Sequence, residues 1–410
     1  MSGETDIAIV GAGPYGLSIA AYLRDRGIEN RIFGPPMALW RAMPKGMFLK
    51  SLDFATNIYA PRRGFTLIEY CRARGLSSAE PFSMGLFADY GEWAQQQLVP
   101  HLENVMVQEV SKRNGAFEVR LENGTVVKAR RVVMATGLTF FEIIPAPLRG
   151  LPKELVSHSA DNPDFEQFRG KDVAVLGAGQ SALQAAVLIF ESGGRPQLIS
   201  RCAGASFAPP PLNPRPLRHR IMYPMSVLGT SRTGFALQRI PFGFHFLPEA
   251  KRVHLAKTLY GPWGAWWLAP RYRGNVPGIP FTNVVHAAPR DGRLALRLRN
   301  VHTREERELV VDHLTAGTGY KPDIDAIPLL DRDLASRIDR IEKSPRLSVN
   351  FESSVPGLYF VGAASVFSFG PMVRFVSGAS FTAPALAKHF WRSRTRGAAR
   401  PSAAFATTSR

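Results

Sequence analysis

The chain has 410 residues, and 51 Lys and Arg against 33 Asp and Glu leave it at +18 before histidine is counted. At 45% hydrophobic and 20% charged residues it can bury the core of roughly two or three ordinary domains, which excludes a mainly disordered protein. Its two cysteines, Cys71 and Cys202, stand far apart, which excludes a disulfide framework, a Cys-rich zinc module and a Cys-x-x-Cys redox centre and points to a reduced, cytoplasmic protein.

Residues 5–33 read as strand, tight turn, helix, strand. Asp6 to Val10 is a short buried-strand run that ends in Gly11-Ala12-Gly13-Pro14-Tyr15-Gly16. Leu17 to Arg26 has helical periodicity, Gly27 stops it, and Asn30 to Phe33 is extended again. The apolar stretch Ile7–Leu23 is 17 residues long, but its glycines and Pro14 interrupt it. It follows Glu4 and Asp6 rather than a basic leader, so neither a signal peptide nor a transmembrane segment is expected.

Residues 100–137 read as a β-rich meander: Val105 to Val107, Phe117 to Leu121, the turn Glu122-Asn123-Gly124, and Arg131 to Gly137. The opening grammar then returns. Lys171 to Leu176 leads into Gly177-Ala178-Gly179-Gln180-Ser181-Ala182, an apolar helix runs to Phe190, Gly193-Gly194 ends it, and Gln197 to Ser200 is the next strand. One supersecondary unit is used twice. A second meander follows (Arg293 to Arg299, Glu308 to Val311, Leu314 to Tyr320), so each half ends in a strand and Thr-Gly. Residues 357–363 add a buried strand that ends in glycine.

Residues 205–285 break this pattern. Six prolines fall between Pro209 and Pro224, and Gly261 to Trp267 is aromatic. We read an irregular insertion there. Trp263, Trp266 and Trp267 would share one face if that stretch were helical, either as packing or as a substrate wall. Arg271 and Arg273 follow and are candidates to hold an anionic substrate group. The excess positive charge is scattered, without a run of five, so no nucleic-acid partner is expected; it reads either as an Arg-rich surface or as a chain that holds several phosphates.

Gly11, Gly13 and Gly16 follow a strand and open a helix, the context in which such spacing has a mechanism. The glycines permit a tight turn and close backbone approach, and the helix N-terminus offers N–H groups to a pyrophosphate. The acid usual at the end of the second strand, which binds ribose hydroxyls, is missing, and Gly34 stands roughly in its place. The second turn has alanine, Ala182, in the third glycine's position. Arg201 follows the second strand of this unit, where a guanidinium can fork onto a 2′-phosphate, pointing to NADPH over NADH. If one turn holds FAD and the other NADPH, the lack of a dithiol means that electrons leave the flavin by another route, with O2 the leading acceptor and an external acceptor the second.

With these motifs the chain resembles the class B flavin-dependent monooxygenases, that is, flavin-containing monooxygenases and lysine/ornithine N-hydroxylases, over most of residues 5–390. Gly11 to Gly16 is similar to the family's FAD turn and Gly177 to Ala182 to its NADPH turn. Gly317-Thr318-Gly319-Tyr320, preceded by Asp312, resembles the family's Ala-Thr-Gly-Tyr, with glycine for the first alanine. His158-Ser159, ahead of Phe168-x-Gly170, is similar to the histidine before the NADPH turn, and either contacts the nucleotide or is structural. Phe48-Leu49-Lys50 resembles the Phe-Leu-Lys of the N-hydroxylases, though Ser51-Leu52-Asp53 departs from them. Leu358 to Ala363 looks like the returning FAD strand.

The resemblance implies an α/β fold with two nested Rossmann-like dinucleotide-binding domains, one for FAD and one for NADPH. Residues 1–165 would form the first part of the FAD-binding domain. Residues 166–310 would be the NADPH-binding domain, with its insertion at about 205–285. Residues 311–395 would return to the FAD-binding domain, and 396–410 would be a mobile tail. It implies FAD and NADPH as cofactors, cofactor contacts at Gly11, Gly13, Pro14, Tyr15, Gly16, Trp40, Leu49, Gly137, Gly177, Gly179, Gln180, Ser181, Arg201, Gly319 and Gly362, and no metal. Lys50 would be the catalytic residue, bonding nicotinamide, substrate or peroxide; the alternative is a surface lysine. The implied activity is transfer of one oxygen atom from O2, through a flavin C4a-(hydro)peroxide, to nitrogen, sulfur or electron-rich carbon of a small molecule. N-hydroxylation and urate hydroxylation both stay open, as do a flavin reductase serving an external acceptor and a non-catalytic FAD-binding protein.

Overall fold

The computed structural model describes residues 3–212, 214–259 and 261–398. Two sheets organise it. The first is centred on the parallel strands Gly3–Val10 and Val126–Met134, with Arg31–Phe33 on the outer edge of Gly3–Val10. Val126–Met134 is shared along its length. Its first half pairs antiparallel with Ala116–Leu121, and its second half pairs parallel with Leu358–Phe360, which arrives more than two hundred residues later. The returning strand of the sequence reading is therefore present and completes this sheet. Helix Pro14–Asp25 covers one face and packs against the last helix, Ala379–Ala398.

The strand expected at Val105–Val107 instead starts at Val107 and runs to Arg113. The residues before it are diverted, because the Glu103 N–H donates to the Ile32 carbonyl and the Gly34 N–H to the Glu103 carbonyl, tying them to the edge of the second strand.

The second sheet runs Gly278–Ile279, Arg195–Ile199, Asp172–Leu176, His313–Ala316, Val156–His158, all parallel. Two of these strands lie on the other side of the boundaries read from sequence. Val156–His158 precedes 166 and His313–Ala316 follows 310, yet both hydrogen-bond into this sheet. Both are short and wholly buried, so they carry no alternation to assign them by. A separate antiparallel meander, Thr282–Arg290, Arg293–Asn300 and Glu306–Val311, packs beside it.

The insertion holds short helices at Leu217–Met222, Arg232–Arg239 and Glu249–Thr258. The tryptophans there do not share a helical face. Pro262 and Gly264 keep Trp263 in irregular chain, and only Trp266–Leu268 forms a single 3₁₀ turn. Of the tail read from 396, residues up to 398 finish the last helix and the remainder lies outside the described residues.

One departure from the family pattern has a steric cause. A Cβ at Gly317 would stand 2.5 Å from the Ala182 methyl and 2.6 Å from its Cα. The second turn thus carries alanine at its third position and glycine in the facing strand end, whereas the first turn carries Gly16 and Ala135. We expect Gly317→Ala to cost about 2 kcal/mol by overpacking. Ala182→Gly in that background should recover the methyl part only; additive losses in thermal unfolding would refute the pairing.

Candidate functional site: two glycine cradles joined at one loop

Both turns are built alike. Gly11 has φ +109 and Gly177 φ +138, a region L side chains rarely enter, and their carbonyl-facing sides are closed. A Cβ on Gly11 would meet the Ala135 carbonyl oxygen at 2.5 Å, and one on Gly177 would strike that of Gly317. Gly16 has no room either, since its Cβ would collide with the Gly11 carbonyl. By contrast, Gly13 faces open space, with nothing within 4 Å, and Gly179 meets only Pro262, at 3.8 Å. Gly13 and Gly179 are the N-caps of helices Pro14–Asp25 and Gln180–Glu191, and neither helix has a side-chain cap or an acid in its first turn. Open space over uncapped N–H groups fits a pyrophosphate at each turn. The buried Gln180 Nε2, which has no partner, marks the second cradle as a place for a polar ligand.

Around the first cradle, Tyr15 donates from its hydroxyl to the Val373 and Phe375 carbonyls at 2.9 and 3.0 Å. Its ring lies against Gly362, whose Cβ would be 3.7 Å away. Gly137, after the first sheet's strand Val126–Met134, and Gly319, after the second sheet's strand His313–Ala316, both have left-handed backbone, and Gly319 faces open space. Trp40 packs edge-on against Phe87 at 4.8 Å, a packing contact. Gly34, with φ +119, lies over the first turn, so no side chain fits its backbone without strain. An open groove near it is lined by Pro35, Pro36, Arg41, Glu92 and Asn104, and its Glu92 is paired with Arg41 at 2.7 Å.

The cradles meet at Phe48-Leu49-Lys50. Gln184, on the second cradle's helix, donates to the Phe48 carbonyl at 2.9 Å and accepts from its N–H at 2.8 Å. Leu49 is buried and its N–H donates to Phe82. Phe48 meets Trp267 edge-on at 5.7 Å. The Lys50 ammonium donates to the Trp263 carbonyl at 2.6 Å, and burial pushes its pKa down. Next door, Gln180 accepts from the Ala265 N–H at 2.6 Å, so one aromatic loop is held by both cradles.

Arg201 is exposed, follows strand Arg195–Ile199, and makes no ion pair among the described residues. Arg271 is not available to a substrate. Glu191 takes it in a two-pronged pair at 2.8 and 2.7 Å, while Arg273 is exposed. His158 is buried against the Tyr320 ring, with Nδ1 3.6 Å from Glu142, and burial pushes its pKa down. Its buried Nε2 has no hydrogen-bond partner among the described residues.

The sequence reading did not single out Arg374. It is half-buried, pairs with no carboxylate among the described residues, and sits between the two residues whose carbonyls hold Tyr15. The available signal was its isolation, as the one charged residue between Glu352 and Lys388.

A family model described as pyridine nucleotide-disulphide oxidoreductase matches residues 8–210. Indole-3-pyruvate monooxygenase YUCCA1 of Oryza sativa subsp. japonica is 29% identical over 202 residues, 47% of each chain. A ferredoxin–NADP reductase of Mycoplasmoides gallisepticum is 28% identical over 195 residues, 44% of this chain and 51% of that one. The chain thus spans about half the length of these curated relatives. Among solved structures, the ornithine N-hydroxylase of Kutzneria sp. 744, with reduced FAD, NADP+ and L-ornithine, superposes with a TM-score of 0.75 at 18% identity, covering 95% of this chain and all of that one. The chain accordingly shares the α/β fold of this N-hydroxylase, the fold that the resemblance implied. Cys71 is buried and Cys202 exposed, and both are free thiols, so the disulphide chemistry in the family description has no dithiol here. Among the described residues, no cluster suits a metal ion and no helix is long and apolar enough to cross a membrane.

Proposed function

We propose that the chain is a cytoplasmic FAD- and NADPH-dependent monooxygenase, placing one oxygen atom of O2 on a nitrogen, sulfur or electron-rich carbon of a small molecule. The observation that carries this reading is the junction at Phe48–Lys50, where Gln184 and Trp263 lock the loop of one cradle onto the other with no thiol pair between them. When bound, FAD and NADPH supply the hydride transfer and the activation of oxygen. The protein's part is placement. The open Gly13 and Gly179 turns receive the pyrophosphates, and Gln180 offers its unpartnered amide to the second nucleotide. Buried Leu49 backs the junction against water, and Lys50 holds a cation at its edge.

Product formed per NADPH consumed, across a panel of amines, thioethers and electron-rich aromatics under O2, tests this directly. A second reading, a flavin reductase serving an external acceptor, is favoured by the 28% identity with ferredoxin–NADP reductase. It predicts NADPH turnover with an electron acceptor and no oxygenated product.

Arg201→Ala is expected to raise KM for NADPH about tenfold or more while leaving NADH use unchanged, because only NADPH carries the phosphate the guanidinium would fork. Equal effects on both nucleotides would remove Arg201 from that role.

A further inference from the structure

The insertion carries a surface that the fold does not use. Of the sixteen large apolar side chains exposed among the described residues, nine fall between Leu212 and Trp266. Phe246 is 75% exposed, Leu217 70%, Ile221 67% and Ile240 65%. So many large apolar side chains left in water by one segment call for an explanation.

The base beneath them is firm. Phe244 is buried against Gly370, and Phe242 packs edge-on against Phe351, Phe369 and Phe381. Arg232 donates to the Met222 carbonyl at 3.2 Å, tying helix Leu217–Met222 to helix Arg232–Arg239. Leu217 and Ile221, four residues apart, share a face of the first of these, and Ile240 ends the second. The apolar tips are thus presented outward from an anchored platform.

Charge identifies the occupant. Residues 212–266 contain eight Lys and Arg against Glu249 alone. Arg218 and Arg220 flank Ile221 and Leu217, are exposed, and pair with no carboxylate among the described residues. Uncompensated Lys and Arg beside apolar tips complement the negative surface potential of anionic lipids. Here exposed guanidinium and apolar side chains alternate within a single turn, Leu217, Arg218, Arg220, Ile221. That mixture suits a headgroup layer, in which apolar tips enter the acyl boundary and arginines meet lipid phosphates.

We propose that this face of the insertion docks the protein peripherally on an anionic lipid bilayer. The inference stands apart from the assigned chemistry, since it uses neither cradle. The full chain, loaded with FAD, is floated with vesicles of phosphatidylcholine alone and of phosphatidylcholine mixed with phosphatidylglycerol. Binding is expected on the anionic vesicles, about tenfold or more tighter than on the neutral ones, and weakened by salt. Leu217→Ser with Ile221→Ser, and separately Arg218→Glu with Arg220→Glu, should each weaken it about tenfold or more. All four side chains are exposed, so circular dichroism and flavin content should not change. Absence of binding, equal binding to neutral vesicles, or variants that bind like the parent would each overturn the proposal. So would sedimentation showing a dimer that the Leu217→Ser, Ile221→Ser variant loses while vesicles are ignored, which would assign the surface to a second copy.

Discussion

Gly13→Val is expected to yield a folded protein that no longer retains FAD. Gly13 sits at φ −82, ψ −173, extended backbone that valine adopts readily, and no protein atom comes within 4 Å of its Cβ. The substitution therefore costs the fold about 1 kcal/mol or less, while its isopropyl group fills the space over the helix N-terminus where a pyrophosphate must come close. FAD affinity should fall about a hundredfold or more. Gly179→Val is the counterpart. It should leave FAD content intact and raise KM for NADPH by a similar factor, with NADH affected equally because the block is at the shared pyrophosphate. Gly16→Ala would not give the same information, because its methyl collides with the Gly11 carbonyl and damages the turn itself. Flavin absorbance after gel filtration, equilibrium FAD binding and thermal unfolding of the apoprotein decide the matter. Full flavin retention by Gly13→Val would mean that the first turn is not the FAD cradle.

Lys50→Ala should separate consumption of NADPH from formation of product. The Lys50 Nζ donates to the Trp263 carbonyl and pairs with no carboxylate among the described residues, so its remaining N–H groups are left to a ligand at the junction. The Phe48 backbone stays clamped by Gln184 whatever stands at position 50, and the loop should survive the change. We expect product formation to drop about tenfold or more while NADPH still bleaches the flavin, the difference appearing as hydrogen peroxide. Unchanged product per NADPH would place Lys50 outside the site.

The glycine turns were legible because sterics leaves the sequence no choice. Gly11, Gly16 and Gly177 are fixed by carbonyls that any Cβ would strike, and Gly13 and Gly179 by space that must stay open. The same local logic explains the swap at Ala182 and Gly317, visible in the sequence only as two separate departures. What stayed hidden depends on partners distant in the chain. Nothing near Phe48 announces Gln184, nothing near Lys50 announces the Trp263 carbonyl, and nothing near Arg271 shows that Glu191 already holds it. No strand was read at Val156–His158, and the sheet that takes up His313–Ala316 was not legible, because a fully buried short strand reads alike in either sheet. The tryptophan stripe failed on local grounds that were in view, since Pro262 and Gly264 break the helix it required.

The account rests on two nucleotides placed so that a nicotinamide reduces a flavin directly. Anaerobic titration of the FAD-loaded protein with NADPH, carried out on the parent and on a Cys71→Ser, Cys202→Ser variant, tests this with least intervention. Full bleaching by one equivalent of NADPH, at the same rate in both proteins, is the predicted result. A flavin that NADPH leaves oxidised, or one whose reduction is lost with the thiols, would contradict it.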